Sequence, residues 1–140
     1  MNVDVDFFNE FSRTYRPITT HTNRILDKHG LSSSYWRVMR ILDKVESRNF
    51  GDITNELYIE KPALTKIIKK LCAMNIVEIR LGQDKREKIV MLTDSGKEKM
   101  EEIRKELYPF LSHVVDDVSQ EELDNVKKVL HMIQKNIMTY

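Results

Sequence analysis

Cysteine is nearly absent from this chain, in which Cys72 is the single copy among 140 residues. One thiol cannot form a disulfide within the chain, and this agrees with a reducing compartment. Long apolar runs are also missing, since no stretch approaches the roughly 18 residues that a membrane-spanning helix requires. The first ten residues are acidic where a secretion signal is basic. These absences predict a cytoplasmic protein without a membrane partner, and its length suits one domain.

Groups of residues that would catalyse a reaction or bind a metal are missing as well. Only four glycines are present, and none belongs to a phosphate-cradling loop. No nucleophile is paired credibly with a base, and the cluster of His113 with Asp116 and Asp117 is best explained as a solvated helix end. The histidines are scattered without paired ligand spacing: His21, His29, His113 and His131. We therefore expect no enzyme activity, no catalytic residue, no metal site and no cofactor.

The net charge is only +1, but the charges are unevenly distributed. Residues 61–88 contain eight lysines and arginines and three acids, a balance of +5, whereas the remainder of the chain has a balance of −4. A basic patch on a mildly acidic body is typical of nucleic-acid-binding proteins, because lysine and arginine neutralise phosphates. The alternative is a solvated helix face, and the secondary structure predicted around the patch favours nucleic acid.

The basic patch coincides with a change in hydrophobic period. Residues 64–71 place apolar side chains at i, i+3, i+4 and i+7, with lysines on the opposite face of the predicted helix. Residues 77–81 then alternate apolar and charged side chains, as in a strand. A polar turn at 82–88 and a second apolar run at 89–92 complete the pattern. Helix, strand, charged turn and strand predict a recognition helix followed by a β-hairpin wing.

The segment before the recognition helix predicts its partner helices. A serine cap after Leu31 begins a helix that extends to about Glu46. Residues 47–51 predict a turn, after which Asp52 caps a short helix. Lys61 then stands at the cap of the recognition helix, with Pro62 at its first position. This order predicts a helix-turn-helix unit, although its turn lacks the glycine often found there.

Both ends of the chain predict amphipathic helices. Residues 4–28 predict one helix with an aromatic stripe along one face. Pro17 lies inside this segment and is expected to kink or break the helix. Residues 94–115 predict a long helix that Pro109 should kink, and the S-x-x-E capping box at 119–122 begins the last helix. A second copy of the chain would cover these apolar stripes and would place two recognition helices roughly 34 Å apart. The predicted fold is mainly α, a winged helix-turn-helix with a small β-hairpin wing and N- and C-terminal dimerisation helices.

The residues that form the wing resemble a known signature. Residues 84–86 and 89–96 are similar to D-x-R before a strand that ends in L-T-x-x-G, the wing signature of MarR-type (multiple antibiotic resistance regulator) transcription factors. The recognition-helix sequence LTKIIKKL at 64–71 also resembles that family.

This resemblance covers nearly the whole chain. It implies one domain over residues 1–140, with a DNA-binding lobe at 31–93 and dimerisation helices at 1–30 and 94–140. It further implies a homodimer that binds pseudo-palindromic operator DNA. Such proteins usually repress transcription and are commonly relieved by a small ligand or an oxidant.

The DNA-binding residues follow from the predicted helix and wing. Thr65 and Lys66 are expected to reach base edges, whereas Lys69 and Lys70 hold phosphates. Arg86 at the wing tip is expected to enter the minor groove, where a narrow A·T-rich tract attracts arginine. The full predicted set is Lys61, Pro62, Ala63, Thr65, Lys66, Lys69, Lys70, Arg80, Asp84, Lys85, Arg86 and Lys88. For Lys85 and Lys88 the alternative is a solvated loop charge.

The resemblance also suggests roles outside direct DNA contact. It implies that Asp84 orients an arginine through an ion pair, with Arg80 or Arg86 as its partner. Family ligand pockets lie between the dimerisation helices and the DNA-binding lobe, which here implicates Arg16, His21 and Trp36 in binding a small-molecule effector.

Two alternatives remain from the sequence. The oxidant-sensing branch of the family has its cysteine in the first helix, but residues 1–30 contain none. Cys72 flanks the recognition helix and is better explained as a small packed residue than as a sensor. The whole chain could instead be a winged-helix interaction module whose basic face binds an acidic protein.

Overall fold

The computed structural model of the chain describes residues 1–84 and 86–140. Six helices and three strands follow one another along these residues. In order they are α1 (Val5–Asp27), α2 (Ser33–Lys44), β1 (Arg48–Asn49), α3 (Phe50–Leu57), α4 (Lys61–Ala73), β2 (Val77–Leu81), β3 (Lys88–Leu92), α5 (Asp94–Val114) and α6 (Gln120–Met138). The predicted fold class is confirmed: the chain is mainly helical, with α3 and α4 as the helix-turn-helix and β2 and β3 as the wing.

The chain divides into two compact units, residues 1–107 and residues 108–140. Helix α5 contributes its first part to one unit and its last turns to the other. Pro17 lies inside α1 and Pro109 inside α5, so neither proline ends its helix. Among the described residues, no helix is both long enough and apolar enough to cross a membrane.

One apolar core holds the first unit together. Every helix and strand of this unit except β1 contributes buried side chains to it. The helical ones are Ile25 and Leu26 of α1, Trp36, Val38, Met39, Ile41 and Leu42 of α2, Ile53 of α3, Leu64, Ile68 and Leu71 of α4, and Met100, Ile103 and Leu107 of α5. In α4 the spacing of the buried residues leaves the opposite face of the helix free for a ligand.

The three strands form an antiparallel sheet in the order β1-β3-β2. Strands β2 and β3 pair from Val77 opposite Leu92 to Leu81 opposite Lys88. Strand β1 pairs with the same β3 at Val90 and Ile89. The period-two pattern of β2 does correspond to a strand, but Ile79 is 42% exposed and Leu81 is 67% exposed. The hairpin therefore extends away from the core instead of covering it.

The segment between α2 and α3 differs from the prediction. Helix α2 ends at Lys44, and the expected turn contains the short strand β1, because backbone groups of Arg48 and Asn49 pair with β3. Helix α3 is capped by Asn49, whose Oδ1 accepts the N–H of Asp52 at 2.8 Å. Asp52 is thus inside the first turn of the helix and is not its cap.

The turn between α3 and α4 explains how the unit forms without the usual glycine. Tyr58 adopts the left-handed conformation there, with φ of 57°, and its side chain is 72% exposed. A residue with a Cβ is strained in this region by about 1–2 kcal/mol. Helix α4 then begins one residue earlier than predicted, since Glu60 occupies the cap position and Lys61 is the first helical residue.

The junction between the sheet and α5 gives the L-T-x-x-G pattern a physical basis. The Thr93 hydroxyl donates to the carbonyl oxygen of Asn75 at 2.6 Å and accepts the Gly96 N–H at 2.9 Å. Gly96 lies so close to the backbone of Ile76 that an added Cβ would be 2.1 Å from its carbonyl oxygen. Threonine thus caps the helix, and glycine allows the helix to pass next to the chain that enters β2.

The second unit contains α6, and its start agrees with the prediction. Ser119 Oγ accepts the Glu122 N–H at 3.1 Å, while Glu122 Oε1 accepts the Ser119 N–H at 3.1 Å. These reciprocal bonds form the capping box, and the backbone bond with Ser119 is the main cause of the lowered pKa of Glu122. All of residues 108–140 are described, and none of them is buried.

Candidate nucleic-acid interface

Helix α4 has one buried face and one cationic face. Leu64, Ile68 and Leu71 fix the helix against the core. Lys66 and Lys69 lie on the exposed side, together with Thr65. The Thr65 hydroxyl donates to the carbonyl oxygen of Lys61 at 3.0 Å, so the lone pairs of its oxygen stay available to accept a hydrogen bond. The helix therefore presents positive charge and one small polar contact on a rigid base.

The cations of this face are not engaged by acidic partners. Within the described part of the chain, no carboxylate is at ion-pair distance from Lys61, Lys66 or Lys69. The same holds for Arg86 and Lys88 on the wing. Lysines elsewhere do pair: Lys28 Nζ lies 3.5 Å from Glu106 Oε2, and Lys99 Nζ lies 3.2 Å from Glu102 Oε2. Unpaired surface cations grouped on one face suit an anionic partner, because binding need not first break an ion pair.

The start of α4 adds hydrogen-bond donors to this positive charge. Glu60 makes no capping bond with its side chain, so the first-turn N–H groups of Lys61 and Ala63 receive no side-chain cap. Pro62 has no N–H to satisfy and is exposed beside them. An uncapped helix N-terminus with a lysine at its first position suits a phosphate oxygen.

The wing differs from the ion-pair arrangement expected from the family resemblance. Asp84 Oδ1 accepts the backbone N–H of Arg86 at 3.1 Å. Arg80 Nη2 lies 2.8 Å from Glu78 Oε1 instead of pairing with Asp84. The expected Asp84 ion pair is therefore wrong for both arginines among the described residues. Asp84 shapes the turn through the main chain, and the Arg86 guanidinium has no acidic partner among the described residues, which do not include Lys85.

A cleft of about 580 Å³ separates α4 from the wing. The start of α3 forms its third wall. Its lining residues are Asn49, Phe50, Gly51, Lys61, Thr65, Ile68, Lys69, Cys72, Ile79, Arg86, Glu87 and Lys88. Five of the predicted DNA-binding residues therefore share one concavity, with cations on both sides of it. Lys66 and Lys70 lie outside that lining, and Arg80 is on the outer part of β2.

Cys72 lies in the cleft wall but has the properties of a packed residue. Its side chain is partly buried, and this burial raises the pKa of the thiol. A raised pKa lowers the fraction of thiolate, which is the reactive form. The structure therefore supports the packing role for Cys72.

Tyr35 is a residue that the sequence reasoning missed. Its ring, near the start of α2, lies beneath Lys70 of α4, with Nζ 4.6 Å from the ring centroid. This cation–π contact holds Lys70 at the edge of the cationic face. Only the packing of α2 on α4 brings the two residues together, since 35 positions of sequence separate them.

The three residues implicated in effector binding do not share a surface. The Trp36 side chain is only 4% exposed and belongs to the core of the first unit. Arg16 is exposed on α1, and His21 is half-buried on the same helix. Neither of the described cavities is lined by any of them. Among the described residues, no group of three or more histidine, cysteine, aspartate or glutamate side chains could hold a metal ion.

Comparison with known proteins places this geometry among transcription factors. A model of the MarR family matches residues 29–87. The HTH-type transcriptional regulator YwoH of Bacillus subtilis is 30% identical over 130 residues, which cover 93% of this chain and 95% of that protein.

Two solved structures show the same fold over nearly the full length. Staphylococcus aureus MarR in complex with salicylate and kanamycin has a TM-score of 0.82 and 28% identity, with 96% of this chain and 91% of that chain covered. An Escherichia coli MarR mutant complexed with operator DNA has a TM-score of 0.78 and 16% identity, with 92% of this chain and 94% of that chain covered.

Proposed function

This chain belongs to the MarR family of transcriptional regulators, and we propose that it is a cytoplasmic repressor that binds a pseudo-palindromic DNA operator as a homodimer. It is a regulator and not an enzyme. The observation that carries the proposal is the exposed face of α4, whose lysines have no acidic partner among the described residues. That face lies beside a wing whose tip carries Arg86, for which the described part of the chain offers no acidic partner.

In the proposed complex, different elements of the chain bind different parts of the duplex. Thr65 and Lys66 on the outer face of α4 read base edges in the major groove, where lysine bonds guanine acceptors. Lys61 and Lys69 bind phosphates and fix the register. The cleft between α4 and the wing receives the sugar-phosphate strand that separates the two grooves. Arg86 then enters the minor groove, where it favours a narrow A·T-rich tract.

The homodimer is supported by two exposed apolar faces. On α1, Phe8, Phe11 and Tyr15 are exposed, and the rings of Phe11 and Tyr15 stack with centroids 6.3 Å apart. On α6, Val126, Val129 and Ile137 are exposed in a stripe that none of the described residues buries. Apolar faces of this extent mark interaction surfaces, and a second copy of the chain is the simplest cover. Sedimentation over a range of concentrations should therefore show a dimer.

A small ligand that relieves repression is the regulatory part of the proposal. It is supported by the complex of Staphylococcus aureus MarR with salicylate and kanamycin. In this chain Arg16 and His21 remain the proposed effector contacts on α1, whereas the buried Trp36 would shape such a site only from within the core. A ligand that changes the spacing of the two recognition helices would weaken binding to two half-sites at once.

Selection of bound sequences from a random duplex pool tests the proposal. We expect a pseudo-palindrome whose half-sites are about 10 base pairs apart, with A·T pairs where the wing meets the minor groove. A protein-interaction module would return no enriched sequence, and an acidic protein partner would displace any duplex that it bound nonspecifically.

The arginine at the wing tip provides a sharper test of the same surface. Arg86→Ala should weaken binding to the selected operator by roughly 1–3 kcal/mol and relax the A·T preference. Lys105→Ala, which removes an exposed cation from α5, is the matched control and should leave both unchanged. If Arg86→Ala and Lys66→Ala both bound the operator as the parent chain does, the assigned surface would be wrong.

A further inference from the structure

The Asn49 side chain connects the tip of the wing to the start of α3. Asn49 Nδ2 donates to Glu87 Oε1 on the wing at 2.7 Å, while Asn49 Oδ1 accepts the Asp52 N–H at the start of α3. These two partners fix the orientation of the Asn49 side-chain amide. The Asp52 N–H needs an acceptor and therefore faces the amide oxygen, whereas the Glu87 carboxylate needs a donor and therefore faces the amide NH₂. One neutral residue thus caps a helix and holds the wing.

Glu87 is out of place on electrostatic grounds unless it has such a role. It lies in a cleft lined by Lys61, Lys69 and Arg86, where a carboxylate repels the phosphates of a duplex. None of these cations forms an ion pair with it among the described residues. The Glu87 side chain is instead turned toward Asn49, and it packs against Gly82, where a Cβ would lie 3.2 Å from Oε2.

The Asn49–Glu87 bond lies beyond the paired part of the hairpin, where it can hold the wing tip in position. The last paired positions of β2 and β3 are Leu81 and Lys88, and β1 supports β3 only as far as Ile89. Beyond them the Gly82 N–H donates to the Glu87 carbonyl oxygen at 2.8 Å, a bond within the hairpin itself. Among the described residues, the Asn49–Glu87 bond is the hydrogen bond that ties this tip to the helical part of the unit.

We propose that Asn49 and Glu87 form a clasp that positions the wing relative to α4 and thereby determines how Arg86 meets the minor groove. Both are positioning residues and do not read bases. The proposal rests on the proposed DNA-binding function. The carboxylate of Glu87 repels phosphate, but its bond to Asn49 holds the wing at a fixed angle. A wing that is already fixed loses less conformational freedom when DNA binds, and this gain outweighs the repulsion.

Two pairs of variants separate the clasp from the charge. Asn49→Ser keeps a capping oxygen for α3 and leaves the charge unchanged, but serine is too short to reach Glu87. Glu87→Gln and Glu87→Ala remove the same charge, and glutamine alone keeps an acceptor for Asn49. The measurements are affinity for the selected operator, preference for A·T pairs at the wing position, and hydrogen exchange of the Gly82 and Glu87 amides in the free protein.

The clasp predicts a specific order among the variants. Asn49→Ser should weaken operator binding about fivefold and flatten the A·T preference, and its effect should be less than additive with that of Arg86→Ala. Glu87→Gln should bind more tightly than Glu87→Ala by a similar factor. Amide exchange at the hairpin should be faster in Asn49→Ser and Glu87→Ala than in Glu87→Gln.

Contrary results are equally specific. Equal affinity and exchange in the two Glu87 variants, with Asn49→Ser identical to the parent chain, would overturn the clasp and leave Glu87 as a simple repulsive charge. If the parent chain itself bound no duplex, the proposed function would fail instead, and faster amide exchange in Asn49→Ser would still show that the clasp holds the wing.

Discussion

Adding one methyl group at Gly96 tests the junction that connects the wing to α5. The Cβ of Gly96→Ala would lie 2.1 Å from the Ile76 carbonyl oxygen, 3.0 Å from its carbonyl carbon and 3.2 Å from its Cα. All three contacts are with backbone atoms. The carbonyl oxygen cannot turn away freely, since it accepts the Thr93 N–H at 3.0 Å.

Two opposing effects determine how much Gly96→Ala changes the free energy of unfolding. Glycine to alanine inside a helix ordinarily stabilises a protein by about 1 kcal/mol, because alanine has the higher helix propensity. Against this, the methyl would be more than about 1 Å inside the optimal separation of non-bonded atoms, and overpacking of a well-packed site costs about 1–3 kcal/mol or more. Moving α5 away would also weaken the Thr93 bonds, at about 1 kcal/mol. We expect a net loss of about 1–3 kcal/mol in the free energy of unfolding.

Urea unfolding followed by far-UV circular dichroism measures this loss. Both proteins must be compared at one concentration, because dimerisation makes stability concentration-dependent. Ser95→Ala is the matched control: it is exposed in the same helical turn and should shift stability by less than about 0.5 kcal/mol. A Gly96→Ala variant as stable as the parent chain, with an unchanged m-value, would refute the explanation given for the glycine.

Three further outcomes follow from local geometry. Tyr58→Gly should raise the free energy of unfolding by up to about 1 kcal/mol in the same urea assay, because glycine removes the left-handed strain; a loss of stability would contradict this. Cys72 should react slowly with a thiol reagent at neutral pH, since burial raises its pKa, and labelling as rapid as that of the unfolded chain would show the reasoning to be wrong. The bond from His29 to Glu106, at 3.1 Å, is the main cause that lowers the pKa of Glu106 below its usual 4.5. A carboxyl group with a lowered folded-state pKa stabilises the protein above its unfolded pKa, and this contribution is lost as the pH falls through the folded value. Glu106→Gln should therefore reduce the fall in stability on acidification from about pH 5 to below pH 4, and an unchanged acid limb of the stability curve would contradict the assignment.

The elements with strong periodicity were predictable from the sequence. The buried face of α4 appears in the spacing of its leucines and isoleucines, and the capping box of α6 appears as serine followed by glutamate three positions later. These features depend on neighbours within one or two helical turns. Local sequence determines them directly.

The elements that depend on distant contacts were not predictable in the same way. Strand β1 has only two residues and exists because β3 offers it backbone partners some 40 positions later. Tyr58 occupies a left-handed position that propensity alone assigns to glycine. The cap of α3 is Asn49 and not the predicted Asp52. Both residue types are good caps, and the pairing of β1 with β3 selects the earlier one.

The candidate site shows the same division. The cationic residues of α4 and Arg86 were evident from charge and spacing, and their DNA-binding roles remain predictions. Tyr35 contacts Lys70 across 35 positions of sequence, and Asn49 contacts Glu87 across 38 positions. Neither pair forms a local motif, so only the packed fold could identify them.

The salt dependence of duplex binding tests the central claim most directly. The claim is that the exposed cations on α4 bind phosphates of double-stranded DNA. For the parent chain, the logarithm of the binding constant should fall linearly with the logarithm of salt concentration, by about 0.9 for each phosphate neutralised. Lys69→Ala removes one phosphate contact from each protomer of the dimer and should make that slope shallower by about 2, whereas Lys105→Ala should leave it unchanged. Parallel lines for all three proteins, or no duplex binding by the parent chain, would contradict the account.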